Sequence, residues 1–249
     1  MYTLVELETI DSTNNWAKRE LTSFSPDRPT FIIASGQTGG RGRGTNTWLS
    51  PHGQNLYMTV VEKVRSTLKV TDYALIAPLA MRQLLYSFGV RSNIRWPNDL
   101  MIERDLIFEK VGGVLVEGVS VGSDPWIIVG IGLNVHMDEA LLRSIDQPAT
   151  SLHRLLPHPP TVQEVKQKAI ETICEHLLLA QKNPELYRKE YCAACSWLVG
   201  ADAVVQTPLE RLEGTIEGFS LEGYLRFKTK FGSVVTVPQG VLLQIRHDS

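Results

Sequence analysis

Phe31-Ile32-Ile33-Ala34-Ser35-Gly36-Gln37-Thr38-Gly39-Gly40-Arg41-Gly42-Arg43-Gly44 is the stretch on which the reading of this chain turns. Phe31 to Ser35 reads as a buried strand, and Gly36 to Gly44 as the loop leaving it. Glycine lets backbone N–H groups approach an anion without a Cβ in the way. Arg41 and Arg43 add planar, permanently charged forks suited to phosphate or carboxylate. The loop therefore reads as an anion clamp at the end of a sheet strand. It is not a Walker loop, because no Gly-Lys-Ser/Thr follows. It is not a dinucleotide fingerprint either, because the glycine spacing is wrong and no helix pattern opens after it. On composition alone, a flexible surface loop or an RNA-binding Arg-Gly segment fits equally well.

The chain on either side fills in the fold. Val5 to Ile10 alternates as a strand, and Asp11, Ser12 and Thr13 offer cap oxygens to a helix starting near Asn14. Leu56 to Val61 is a further strand. From Asp72 to Phe88 the apolar residues follow helical spacing, and Gly89 ends the run. Ile94 to Ile102, Val111 to Val119 and Trp126 to Val135 read as successive strands, and Val162 to Gln181 as an amphipathic helix. Beyond Trp197 the pattern changes to short alternating segments punctuated by Gly214, Gly218, Gly223, Gly232 and Gly240. The expectation is an α+β fold in which a mixed sheet with flanking helices (residues 1–195) precedes a small all-β barrel (residues 196–249).

The 249 residues carry 25 basic and 27 acidic side chains, a formal net charge of −2. That excludes binding nucleic acid by bulk charge and excludes an acidic disordered tail. Three cysteines do not make a disulfide framework and fit a reducing compartment. Cys192 and Cys195 form a lone Cys-x-x-Cys in a helix-like stretch and read as structural. The N-terminus lacks a basic n-region, and the longest apolar run, Tyr73 to Met81, is far shorter than the roughly 20 residues of a membrane span. A cytoplasmic, soluble protein with no membrane partner is expected.

Further candidate groups follow the loop. Trp48 suits stacking on a base or capping an apolar pocket. In Arg95-Trp96-Pro97-Asn98-Asp99, Pro97 restricts Trp96 to extended backbone, so the turn can aim an amide and a carboxylate toward a nucleotide or metal. Lys110 opens Val111-Gly112-Gly113-Val114-Leu115-Val116-Glu117, where it can neutralise a developing phosphate charge. Gly130-Ile131-Gly132-Leu133-Asn134 ends a buried strand in an amide. No nucleophile elbow, His-Glu-x-x-His or metal-type cysteine pair occurs.

In this order, Asp11-Ser12-Thr13-Asn14, Gln37, Gly40-Arg41-Gly42-Arg43, Trp48, Arg95-Trp96-Pro97-Asn98-Asp99, Lys110-Val111-Gly112-Gly113 and Gly130-Ile131-Gly132-Leu133-Asn134 resemble the biotin–protein ligases. The resemblance covers nearly the whole chain, and the glycine-punctuated tail is similar to the family's C-terminal barrel. It implies a class II synthetase-like, biotin–lipoate ligase catalytic domain. It also implies an ATP-dependent, AMP-forming reaction with Mg2+. Biotin and ATP give biotinyl-adenylate, and a lysine of a biotin carboxyl carrier protein domain, such as that of acetyl-CoA carboxylase, then takes the biotin.

On that resemblance Lys110 and Arg43 are catalytic. Ser12, Thr13, Asn14, Gln37, Arg41, Gly42, Arg43, Lys110 and Gly113 bind biotin. Arg41, Arg43, Trp48, Asn98, Lys110 and Asn134 bind ATP, and Asp99 is a metal ligand. The chain departs from the family in three places. No arginine lies in Gly44-Thr45-Asn46-Thr47, Arg95 replaces the common lysine, and a longer hairpin is expected at Glu103 to Glu109. No segment for a helix-turn-helix precedes the catalytic part, so no DNA binding is expected; a monomer and a homodimer both fit. The alternatives are a lipoate or octanoate ligase or transferase, which usually has a Ser-Gly-Gly-Gly type loop, and an RNA-binding module.

Overall fold

A computed structural model describes residues 1–65 and 67–246. Among the described residues, twelve strands form two sheets. The first sheet takes β1 (Thr3–Ile10), β2 (Thr30–Gln37), β3 (Leu56–Lys63), β4 (Asn93–Arg95), β5 (Asp99–Arg104), β6 (Ile107–Val121) and β7 (Asp124–Leu133). Their order is β1-β2-β3-β7-β6-β5-β4. β1 and β2 pair in parallel and the other neighbours in this order antiparallel, so the sheet is mixed, as expected. β2 and β3 are buried along nearly their whole length, which explains their continuous apolar runs.

Alternate residues serve opposite faces. Ile32, Val61 and Ile128 pack on α1 (Thr13–Arg19) through Ala17. Phe31, Met58, Val60, Val129 and Ile131 belong to the main core with α2 (Val70–Ser87). α2 runs through Pro78 and ends at Gly89, whose φ of +81° needs no Cβ. Two short helices, α3 (Glu139–Arg143) and α4 (Leu152–Leu155), lead to α5 (Val162–Lys182) and α6 (Pro184–Cys195). Thr161 and Glu164 form a capping box at α5, which fixes its start.

One strand differs from expectation. Ile94 to Ile102 is not continuous but folds back as β4 and β5, with Arg95 opposite Asp99. Pro97 cannot donate to a ladder, and Asn98 N–H instead closes on Arg95 O at 3.1 Å. A hairpin occupies Glu103 to Glu109. Asp105 and Leu106, both at positive φ, join Arg104 to Ile107 in a two-residue turn.

The second sheet is wholly antiparallel: β8 (Asp202–Gln206), β9 (Arg211–Phe219), β10 (Leu225–Thr229), β11 (Val234–Val237) and β12 (Val241–Arg246), in the order β11-β10-β9-β8-β12. Its edge strands are joined by residues 238–240 alone, so the sheet must roll until its edges approach. Among the described residues they share no ladder, and the last three residues of the expected barrel lie outside the description.

Val205, Ile216, Leu225 and Phe227 of this sheet join the main core. Three hydrogen bonds grip the β4–β5 turn from the C-terminal side: Trp96 Nε1 to Gly223 O (2.9 Å), Tyr191 Oη to Pro97 O (2.6 Å) and Trp197 Nε1 to Ile94 O (2.9 Å). Among the described residues, no helix is long and apolar enough to cross a membrane.

Candidate active site

A cavity of about 670 Å3 opens where β2, β5, β6 and β7 meet the loop after β2 and the start of β12. Every residue given a binding, catalytic or metal role from the sequence lines it: Ser12, Thr13, Asn14, Gln37, Arg41, Gly42, Arg43, Trp48, Asn98, Asp99, Lys110, Gly113 and Asn134. Of the other motif residues, Asp11, Gly40, Val111, Gly112 and Leu133 do not.

One end is neutral and polar. Ser12 holds the N-cap position of α1 without making a cap bond, so its hydroxyl is left to the cavity. Gln37 Oε1 accepts from Thr13 N–H (2.9 Å) and Thr13 Oγ1 (3.1 Å), and Gln37 Nε2 donates to Ser50 Oγ (2.9 Å). Asn14 is spent at both ends. Its Nδ2 donates to Glu117 (2.9 Å), and its Oδ1 accepts from Thr59 (2.6 Å). Asn98 N–H and Nδ2 bind Arg95 O and Val114 O, so it shapes the turn as well as lining the cavity.

Another part of the lining is charged. Lys110 Nζ lies 2.7 Å from Asp99 Oδ1 and 5.3 Å over the Trp48 ring. Arg95 donates to Asp99 Oδ2 from Nε (3.1 Å) and Nη2, and its Nη2 also reaches Gln147 Oε1 (2.6 Å). Both Asp99 oxygens thus take cationic donors. That donor set does not fit a magnesium ligand, and among the described residues no group of three or more His, Cys, Asp or Glu could hold a metal.

Burial pushes the Asp99 carboxyl upward, but Lys110 and Arg95 outweigh it and hold the group below the usual carboxylate range. A depressed folded pKa adds stability above the unfolded value of about 3.9, which is lost as pH falls through the folded value. The urea midpoint should therefore lose a component below about pH 4 that is absent from Asp99→Asn. Equal acid slopes in both proteins would contradict the pairing.

Residues 40–48 form a compact hairpin rather than a slack loop. Arg41 bridges Thr47, Gly42 N–H binds Asn46 O (2.8 Å), and Trp48 N–H binds Gly40 O (2.9 Å). The glycine stretch also begins later than expected, because Gly36 and Gln37 stay within β2. Arg41 pairs with Glu117 (3.1 Å), whereas Arg43 Nη1 reaches Gly240 O (3.0 Å) just before β12. Burial lowers the Arg43 pKa, with Asp99 and Tyr191 pulling it back, and a guanidinium keeps its charge regardless.

Trp48 Nε1 and Asn134 Oδ1 are buried without a partner among the described residues. A buried polar atom left unpaired costs about 1–3 kcal/mol. Two such atoms on one cavity are groups a ligand would satisfy. Trp48 lies over Gly132, where a Cβ would sit 2.4 Å from its ring. Gly132→Ala should therefore displace the indole and cost about 1–3 kcal/mol of overpacking, read as a lower urea midpoint at unchanged slope. An unshifted midpoint with intact ligand affinity would mean that the ring moves freely.

Sequence reasoning missed Glu117, Gln147, Ile145 and the Val241–Leu243 wall. Glu117 alone left a trace, as an acid ending a run of apolar strand residues.

Comparisons with known proteins agree with one another. The model of the biotin/lipoate A/B protein ligase family matches residues 6–134. The bifunctional ligase/repressor BirA of Bacillus spizizenii is 31% identical over 137 residues, covering 53% of this chain and 40% of that protein. The match thus spans well under half the length of that relative. The human biotin–protein ligase is 28% identical over 222 residues, covering 84% of this chain and 30% of that one. The structure of the Aquifex aeolicus biotin protein ligase in complex with biotin and ATP superposes with a TM-score of 0.79, at 24% identity and over 99% of both chains. Likeness at that identity shows the shared fold.

Proposed function

This chain belongs to the biotin/lipoate A/B protein ligase family, and from that premise we propose that it is a biotin–protein ligase. The observation that carries the reading is the layout of one cavity. Arg43 and Lys110 line it together with the hydroxyls and amides of Ser12, Thr13 and Gln37 and with Trp48 and Asn134, which carry unspent polar atoms.

Biotin's ureido ring calls for neutral donors and acceptors, which Ser12, Thr13 and Gln37 offer, with Asn14 bracing them. Trp48, Asn98 and Asn134 suit the nucleotide. In the first step a biotin carboxylate oxygen attacks the α-phosphorus of ATP, and pyrophosphate leaves. Both reactants are negative. Lys110 screens their repulsion and stabilises the charge that builds at phosphorus, while Arg43 holds the adenylate once it has formed. Gly42 and Gly113 keep the backbone close to the reacting groups. In the second step a lysine amine of a biotin carrier domain attacks the mixed anhydride and AMP leaves, so no enzyme nucleophile is needed. Magnesium would arrive on the ATP phosphates, which with water make up most of its coordination. Asp99 serves instead as the anchor of Lys110.

The division into a catalytic part (1–195) and a C-terminal sheet (196–249) follows the same reading. The test is biotin-dependent ATP–pyrophosphate exchange together with labelling of an intact biotin carrier domain. Absence of both sinks the proposal. Thermal shifts with biotin and with lipoate separate it from the lipoate branch, because a ligand of the folded state raises stability.

A further inference from the structure

We propose that Glu117 is a positioning residue and that Arg41 is the fixed post of the 40–48 hairpin rather than a grip on substrate. The inference rests on the ligase reading above for its kinetic part only. Glu117 projects from β6 and is mostly buried, with its side chain 19% exposed. Its Oε1 takes Lys18 Nζ (2.7 Å) and Arg41 Nη2 (3.1 Å). Its Oε2 takes Asn14 Nδ2 (2.9 Å) and Arg41 Nη1 (3.3 Å). Arg41 Nη1 also donates to Asn15 Oδ1 (3.0 Å).

Three elements therefore meet at one carboxylate: α1, β6 and the hairpin. The carboxylate is itself braced, because Asn14 is locked from its far end by Thr59 of β3 and fills the space a Cβ on Gly130 would need. A two-nitrogen pairing of guanidinium with carboxylate fixes direction as well as distance. Drawing Arg41 onto a substrate anion would strand Glu117 against Lys18 and Asn14 alone. Arg43, two residues on, makes no ion pair among the described residues and donates only to a carbonyl. The two arginines thus divide the labour, with Arg41 holding the hairpin's base and Arg43 facing the cavity.

The experiment uses Glu117→Gln and Arg41→Met in the full chain. Trypsin cuts after Arg43 when the hairpin opens, and this readout needs no activity. Both variants should raise that cleavage about tenfold without ligand, with little change at other sites. Unchanged cleavage in both overturns the proposal, and so does cleavage at every site in both, which would mean a purely structural role. In exchange assays, KM for biotin should rise several-fold in each while kcat stays within twofold, and the double variant should be no worse than the poorer single one. A tenfold fall in kcat in Arg41→Met that Glu117→Gln does not share overturns it, because Arg41 would then act on substrate itself. If wild type shows no exchange but the trypsin result holds, the ligase reading fails and the post remains.

Discussion

Lys110→Ala is expected to lower biotin-dependent ATP–pyrophosphate exchange by about 10²–10³-fold, the usual loss when one preorganised charge is removed from a transition state. Lys110 has a single productive direction, and a β-bulge sets it. Asp99 pairs with Gly113 and Leu100 with Gly112, but Met101 pairs with Lys110, which leaves Val111 as the extra residue. Without that insertion Lys110 would turn to the face of Leu100 and Ile102, into the main core. With it, the amine meets Asp99 at 2.7 Å on the cavity side. The strand is pinned there by Lys110 N–H to Pro148 O (2.8 Å) and Thr150 N–H to Lys110 O (2.9 Å).

Truncation also leaves Asp99 with one cationic partner fewer, so lost activity could be confused with lost fold. Asp99→Asn/Lys110→Ala removes both charges and should recover most of the urea midpoint while exchange stays low. Recovery of exchange in the double variant would show that Lys110 only balances Asp99.

The same bulge marks the limit of what the sequence reveals. Unbroken apolar runs place β2 and β3, and helical spacing of apolar residues places α2 and α5, because each pattern is written locally in the chain. The candidate residues were legible because cations, amides and glycines cluster in short runs. What faces what was not legible. Val111 reads as an ordinary strand residue, yet its extra place in the ladder decides where Lys110 points. Arg41 and Arg43 read as equal clamps, yet a carboxylate 76 positions away claims one and a carbonyl 197 positions away holds the other. The turn at Trp96 hid the break between β4 and β5, because its cause is a fold-back gripped by Tyr191 of α6 and by Trp197 and Gly223 from the distant C-terminal part. Long-range partners have no local signature.

Arg43→Gly is expected to leave adenylate formation largely intact and to release the adenylate about 10–100-fold faster, which corresponds to losing one charge-assisted hydrogen bond of about 1.5–3 kcal/mol. Arg43 spends one of its donors on Gly240 O, at the turn into β12. A guanidinium has five donors in a fixed plane, so the remainder can serve a phosphate while this bond holds the fork in place. The residue therefore closes the cavity across the two sheets, from the hairpin after β2 to the wall formed by Val241, Leu242 and Leu243.

Removing it should open that seam and leave Lys110 and Asp99 where they are, which separates retention from chemistry. The measurement is biotinyl-adenylate in the filtrate after single turnover, beside the exchange rate. The melting temperature should move little, since the hairpin's base is held by Arg41 and Glu117. Should Arg43→Gly instead abolish exchange at unchanged release, Arg43 would act in forming the adenylate and not in keeping it. Should Arg43→Lys restore retention, charge alone would suffice; the bond to Gly240 predicts that it does not, because a lysine amine cannot span the carbonyl and a phosphate from one plane.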